Sequence, residues 1–120
     1  MKAIIIDDER LARKELRSLL NKYHEIEIVD ECANAGEALS SIDNHHPELI
    51  FLDIQMPGHN GFELLNQLDH VPKVIFVTAY DEYAIRAFEV NALDYLLKPV
   101  NPERLDEAIA KVSRSKSSFS

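Results

Sequence analysis

Leu49-Ile50-Phe51-Leu52-Asp53-Ile54-Gln55-Met56-Pro57-Gly58 is the stretch on which the reading of this chain turns. It opens with four apolar residues, then meets a carboxylate and a Pro/Gly loop. A short apolar run bounded by turn residues predicts a strand covered on both faces, as in a parallel sheet. The strand is expected over residues 49–54, with Asp53 where the unbroken apolar run stops.

The same ending recurs along the chain. Residues 3–6 run into Asp7 and Asp8, residues 74–77 into Thr78, and residues 93–97 into Lys98-Pro99. A further, edge-like strand is expected over residues 27–32, and the last two over 73–77 and 92–97. Amphipathic stretches lie between them. Ala12, Leu16, Leu19, Leu20 and Tyr23 fall at helical spacing. Asn34 with Glu37 forms a capping-box pattern before Ala38, Leu39 and Ile42. Phe62, Leu64, Leu65 and Leu68 mark a third helix. A fourth is expected over 82–90, with Ala84, Ile85 and Phe88 facing the core and Tyr83, Ala87 and Val90 making a surface strip. Asn101 caps a last helix that has Pro102 at its first position and Leu105, Ala108, Ile109 and Val112 as its buried stripe.

Five strands alternating with five helices predict an α/β fold, a doubly wound five-stranded parallel sheet with right-handed crossovers. In such sheets ligands bind outside the carboxyl ends of the strands. Asp7, Asp8, Asp53, Thr78 and Lys98 would all converge there. Taken singly, each residue is ordinary, since an Asp at a strand end is most often a turn former or helix cap. Their conjunction, each after a separate strand, is specific.

Two carboxylates at ~5 Å repel by roughly 3 kcal/mol at an effective dielectric near 20. A hard divalent cation resolves this, and Mg²⁺ fits because it binds through few carboxylates and keeps waters and phosphate oxygens. Lys98 and the Thr78 hydroxyl can then serve a phosphoryl group, and a carboxylate beside the metal can attack phosphorus. Asp53 is the best placed nucleophile, with Asp8 a direct metal ligand and Asp7 a water-mediated one.

Composition narrows the class further. The 120 residues favour one domain with one core. Thirteen basic against 21 acidic residues give a net charge of −8, which argues against nucleic-acid binding by this segment itself. No apolar stretch approaches a membrane span and no leader is evident, so a cytoplasmic location is expected. The lone Cys32 reads as a small buried hydrophobe. The five histidines fall in loop-like contexts without metal-ligand spacing, and only His59 is expected near the site.

Asp7-Asp8-Glu9, Leu52 through Gly58, Thr78-Ala79 and Asp94-Tyr95-Leu96-Leu97-Lys98-Pro99 resemble the receiver domain of two-component response regulators. Residues 76–85 and 87–97 are similar, more narrowly, to receivers of the LytTR (LytR/AlgR-like) class. The resemblance implies a flavodoxin-like (βα)5 fold with strand order 2-1-3-4-5. It implies Asp53 as phosphoacceptor, and Mg²⁺ held by Asp8, Asp53 and the Gln55 carbonyl with Asp7 reaching it through water. Thr78 and Tyr95 would be a switch pair, Lys98 would contact the phosphoryl group, and the Lys98–Pro99 bond would be cis.

A sensor histidine kinase is the implied partner, with a homodimer through the fourth helix, fifth strand and fifth helix. DNA would be reached only through an output domain absent from this sequence. The receiver would span residues 1–113, with the Ser-rich 114–120 beginning a linker. A stand-alone receiver acting through protein contacts is the alternative. An aspartyl-phosphate phosphatase would want a second Asp two residues after the nucleophile as general acid, where Gln55 stands. A flavin carrier would need a small polar phosphate loop after the first strand, where Asp7-Asp8-Glu9 would repel phosphate.

Overall fold

The computed structural model describes residues 1–117, with side-chain placement through residue 114. The elements, in chain order, are β1 (Lys2–Ile6), α1 (Arg10–Leu20), β2 (Glu27–Cys32), α2 (Ala35–His45), β3 (Leu49–Leu52), α3 (Gly61–Asn66), β4 (Lys73–Thr78), α4 (Ala84–Glu89), β5 (Asp94–Leu97) and α5 (Pro102–Ser117). The strands form one sheet in the order β2-β1-β3-β4-β5, and every pairing is parallel.

Alternation along the strands divides the interior into two cores. Ile4, Ile6, Ile50, Leu52, Val74 and Phe76 point to the side covered by α2, α3 and α4. Ala3, Ile5, Leu49, Phe51, Ile75 and Val77 point to the side covered by α1 and α5. Burial on both faces explains why β1 and β3 read as unbroken apolar runs. Cys32 is buried, with its thiol pushed up to about 11 chiefly by that burial, so it behaves as a small hydrophobe.

Strand ends are fixed by backbone bonds that extend the ladders one residue further. The Asp7 amide donates to the Cys32 carbonyl, that of Asp53 to Ile6, and that of Lys98 to Thr78. The third strand stops at Leu52, short of the expected residue 54, because Ile54 turns to pair with the start of α3 through the Gly61 amide. Similarly, the fifth strand begins at Asp94 and the fourth helix covers only Ala84–Glu89.

Helix starts follow side-chain capping. The Asn34 side chain accepts from the Glu37 amide at 2.9 Å. Glu37 reaches back to the Ala33 amide, one residue before the cap, so the box at α2 is not reciprocal. A reciprocal box stands instead at α3, between Asn60 and Glu63. Asn101 caps α5 through the Glu103 and Arg104 amides. The helix runs on to Ser117, through the expected boundary at residue 113, and residues 118–120 of the expected linker lie outside the described residues. His45 is not in a loop: it is the last residue of α2 and lies 4.0 Å from Asp30.

The faces of α4 are the reverse of the sequence expectation. Ala87 is 2% exposed and seats on the sheet with Tyr83 beside it, whereas Ile85 and Phe88 are 77% and 82% exposed. In a six-residue helix, Ala-Ile-Arg-Ala-Phe-Glu, apolar residues occupy both stripes, so periodicity cannot choose between them. The close approach to β5 admits the small alanine and leaves the larger side chains outside.

Asp94 joins β5 to α5. Its carboxylate is buried and takes two bonds from the Arg104 guanidinium, one from the Tyr95 amide and an ion pair from Lys111. Burial alone would raise this carboxyl, but Arg104, the Tyr95 amide and Lys111 outweigh it and hold it below the usual range. A depressed folded value means stabilisation that is full above the unfolded value near 4 and lost as pH falls through the folded one. We expect Asp94→Asn to cost about 2 kcal/mol at neutral pH, measured by thermal unfolding across pH. A gap from wild type that fails to close in acid would contradict the assignment.

Candidate functional site

The carboxyl ends of β1, β3, β4 and β5 meet, as the registers Ile6↔Leu52, Leu52↔Phe76 and Thr78↔Leu97 require. Lys98 is the hub. Its Nζ lies 2.8 Å from Asp7 Oδ2, 3.2 Å from Asp53 Oδ2 and 3.3 Å from Glu9 Oε1. Asp7 is further fixed because its other oxygen accepts the Glu9 amide. Asp7, Asp8 and Asp53 each offer an oxygen within 4.8 Å of the others.

Asp53 is only 5% exposed, yet its Oδ1 has no hydrogen-bond partner among the described residues. An unpaired buried carboxylate oxygen is costly, which marks it as a position built for another ligand. Burial and the neighbouring Asp7 charge push the Asp53 carboxyl up, and Lys98, with a smaller share from the nearby Thr78 hydroxyl, offsets them only in part. Burial would lower the Lys98 ammonium, but Asp7 and Asp53 prevail and hold it well above its ordinary value. The donor set is all oxygen, carboxylate-rich and partly open, which fits a hard cation such as Mg²⁺.

Two glycines shape the loop that frames Asp53. Gly58 sits at φ +86°, where other residues are strained. A Cβ at Gly61 would come within 2.9 Å of the Asp53 carbonyl and 3.1 Å of Leu52 Cγ, so α3 can start against the Asp53 backbone only because no side chain intervenes. An isolated bridge between Gln55 and Asn60 closes this loop.

Thr78 is fully buried, and its hydroxyl accepts the Tyr80 amide at 3.4 Å. Half-buried Tyr95 packs its ring 6.1 Å from that of Phe76 and donates its hydroxyl to the Tyr80 carbonyl. Thr78 and Tyr95 therefore hold the same residue, one at its amide and the other at its carbonyl. The Lys98–Pro99 peptide is cis. Asp53 and Lys98 border an open cleft of about 520 Å³ whose walls include Asp8, Gln55, Met56, Pro57 and Tyr80.

The structure brings Asp7, Asp8, Asp53, Thr78 and Lys98 together as expected from the sequence, with Gln55 and Tyr95 at the margins. His59 is exposed in the loop after β3. Sequence reasoning missed Glu9 as a third acid on Lys98, a contact spanning 89 positions, although Glu9 directly follows the two aspartates. It also missed Tyr80 and Tyr83.

A doubly wound sheet of this order with an acidic pocket and a lysine at its carboxyl edge defines a class of signalling domain. The response regulator receiver domain model matches residues 3–110, and the chain belongs to that family. It is 53% identical over 116 residues to an uncharacterized response regulatory protein of Yersinia pestis, covering 95% of this chain and 49% of that protein. It is 49% identical over 119 residues to the transcriptional regulatory protein BtsR of Salmonella typhi, covering 98% and 50%. The chain thus spans about half the length of these relatives. The crystal structure of the response regulatory domain of mrkE from Klebsiella pneumoniae superposes with TM-score 0.86 at 36% identity, covering 96% of this chain and 97% of that one.

Proposed function

We propose that this receiver is a phosphorylation-activated switch that takes a phosphoryl group from a sensor histidine kinase onto Asp53. The observation that carries the reading is the state of Asp53, with one oxygen on Lys98 and the other buried without a partner. An Asp53 oxygen attacks phosphorus as the bond to the donor nitrogen breaks. Lys98 stabilises negative charge on the transferring oxygens, and the Thr78 hydroxyl donates to one of them. Asp8, Asp53 and the Gln55 carbonyl would hold Mg²⁺, with Asp7 reaching it through water. The metal supplies charge neutralisation at the phosphoryl oxygens.

Thr78 and Tyr95 form the switch. Drawing Thr78 toward the phosphoryl group pulls the Tyr80 backbone that both residues hold, and the Tyr95 ring turns inward. The domain catalyses only its own phosphorylation and dephosphorylation. Its receiver body takes in residues 1–113, with α5 running on to Ser117, and it acts in the cytoplasm. Among the described residues no helix is long and apolar enough to cross a membrane. The output is transcription, through a DNA-binding LytTR-type domain in the rest of the protein. Support comes from the LytTR-like residues 76–97 and from relatives twice this length, one of which is named a transcriptional regulator.

Exposed Ile85, Phe88 and Leu97 favour a homodimer through α4, β5 and α5 in the phosphorylated state. One experiment tests switch and dimer together. Incubation with Mg²⁺ and acetyl phosphate should yield an acid-stable, alkali-labile adduct, lost on chelation, and the labelled protein should weigh as a dimer. Absence of the adduct defeats the phosphoacceptor reading, and a labelled monomer defeats the dimer.

A further inference from the structure

The strand β1 pairs with its neighbours as far as Ile6, so the carbonyl of the buried Asp7 lies just past the ladder. A buried carbonyl must find a donor. Here the donor is a side chain: Arg13 Nη1, from the start of α1, donates to it at 2.6 Å. The same guanidinium donates through Nε to Glu31 Oε1 at 3.3 Å, and Arg17 Nη1 holds the other Glu31 oxygen at 2.8 Å. The Arg13 side chain is only 15% exposed, so its charge is committed to these two acceptors. Its planar fork thereby joins α1 and the edge strand β2 to the last residue before the exposed Asp8.

We propose that Arg13, braced by Glu31, is a positioning residue that presets Asp7 and Asp8 for a divalent cation. The proposal rests on the reading of the acidic cleft as a Mg²⁺ site. Asp7 is pinned on both sides. The peptide before it donates to the Cys32 carbonyl at 2.9 Å, and the peptide after it accepts from Arg13. Its side chain also accepts the Glu9 amide at 2.9 Å. The peptide between Asp7 and Asp8 therefore cannot turn without breaking a charge-assisted bond. The directions in which both carboxylates leave the main chain are set before any cation arrives.

Mg²⁺ demands near-ideal geometry at short distances, so a small swing of either carboxylate costs affinity. Arg13 is no ligand itself and acts only through the Asp7 carbonyl. Its charge works in the opposite direction, because a guanidinium near the acids repels a second cation. The two effects thus differ in sign. If charge alone mattered, removing Arg13 would tighten Mg²⁺ binding; if positioning dominates, removal weakens it. Arg17 supplies the control, since it pairs with the same Glu31 and carries the same charge, and its bond goes to that carboxylate and not to Asp7.

The test titrates Mg²⁺ by calorimetry into wild type, Arg13→Met, Arg13→Lys and Arg17→Met, without any phosphodonor. Methionine keeps an unbranched apolar stem and a good helix former while removing every donor. Arg13→Met should bind Mg²⁺ about tenfold more weakly, the loss typical when a group that orients a metal ligand is removed. Arg13→Lys, with charge but no fork, should fall between it and the wild type. Arg17→Met should bind at least as tightly as the wild type. In metal-free buffer the Glu9 amide should exchange faster in Arg13→Met than in Arg17→Met. Arg13→Met binding Mg²⁺ as well as the wild type or better, or Arg17→Met weakened equally, overturns the positioning role alone. Should Arg13→Met fail to fold, wild-type affinity in Arg13→Lys overturns it in the same way. A wild type that binds no Mg²⁺ removes the metal-site reading, and the role of Arg13 with it.

Discussion

We expect Asp53→Asn to take no phosphoryl group from acetyl phosphate and, in metal-free buffer, to unfold at a higher temperature than the wild type. The first half follows from chemistry, since an amide cannot supply the attacking oxygen. The second follows from the cost of the carboxylate. Burial and Asp7 raise the Asp53 carboxyl above its unfolded value, so its charge opposes folding at neutral pH. Asparagine has the same shape, carries no charge and can donate to a neighbouring carboxylate, while Lys98 keeps Asp7 and Glu9. A gain of roughly 1 kcal/mol, or about 4 °C in the unfolding midpoint, is expected.

The pH dependence has a definite sign. For a carboxyl raised in the folded state, the penalty is full above the folded value, shrinks as pH falls through it, and is gone below the unfolded value near 4. Wild type and variant should therefore converge in acid, and Mg²⁺ should stabilise the wild type far more than the variant. A variant less stable than wild type at neutral pH would contradict the electrostatic account. One that still labels would contradict the choice of Asp53.

Lys98→Ala should be the most damaging change in the cleft when metal is withheld. Its ammonium is shared by Asp7, Asp53 and Glu9, and its removal leaves Asp7 and Asp53 buried, adjacent and uncompensated. Breaking a buried ion pair by removing one partner costs about 3 kcal/mol, so the midpoint should fall by about 10 °C. Because the folded value of Lys98 is raised, its contribution is full below the unfolded value near 10.4 for as long as its carboxylate partners stay ionised, and it is lost as pH rises through the folded value.

Added Mg²⁺ should restore most of the lost stability, since a second cation can take over the same charges. The variant should still accept a phosphoryl group yet fail to transmit it to α4, read as unchanged amide exchange at Ala87 and Val90 on labelling. A Lys98→Ala protein as stable as wild type without metal, or one that still switches, would show that the ammonium is dispensable.

Much of the fold and the site is legible in the sequence because doubly covered strands have unusually plain sequences. Residues 3–6 and 49–52 are wholly apolar, and each ends on a carboxylate that cannot enter the sheet. What periodicity could not resolve was the phase of α4, whose two stripes are both apolar and whose buried position suits a small side chain, Ala87. Contacts of long, flexible side chains were equally hidden. Glu9 reaches Lys98 and Gln55 reaches Tyr83 through loops whose geometry depends on the whole edge being assembled. The reciprocal cap at Asn60 and Glu63 was within reach of sequence reasoning, but the Pro/Gly loop around it masked the signal.

The ion cluster at Asp94 makes β5 and α5 a lever. Arg104 and Lys111, about two turns apart on the helix, both grip the one carboxylate at the start of β5, so the strand cannot tilt without carrying the helix. A 16-residue helix is about 24 Å long, and a rotation of about 5° at its root sweeps its far end through roughly 2 Å. An adjustment at the Tyr95 ring, too small to rearrange the core, would therefore arrive enlarged at the end of α5.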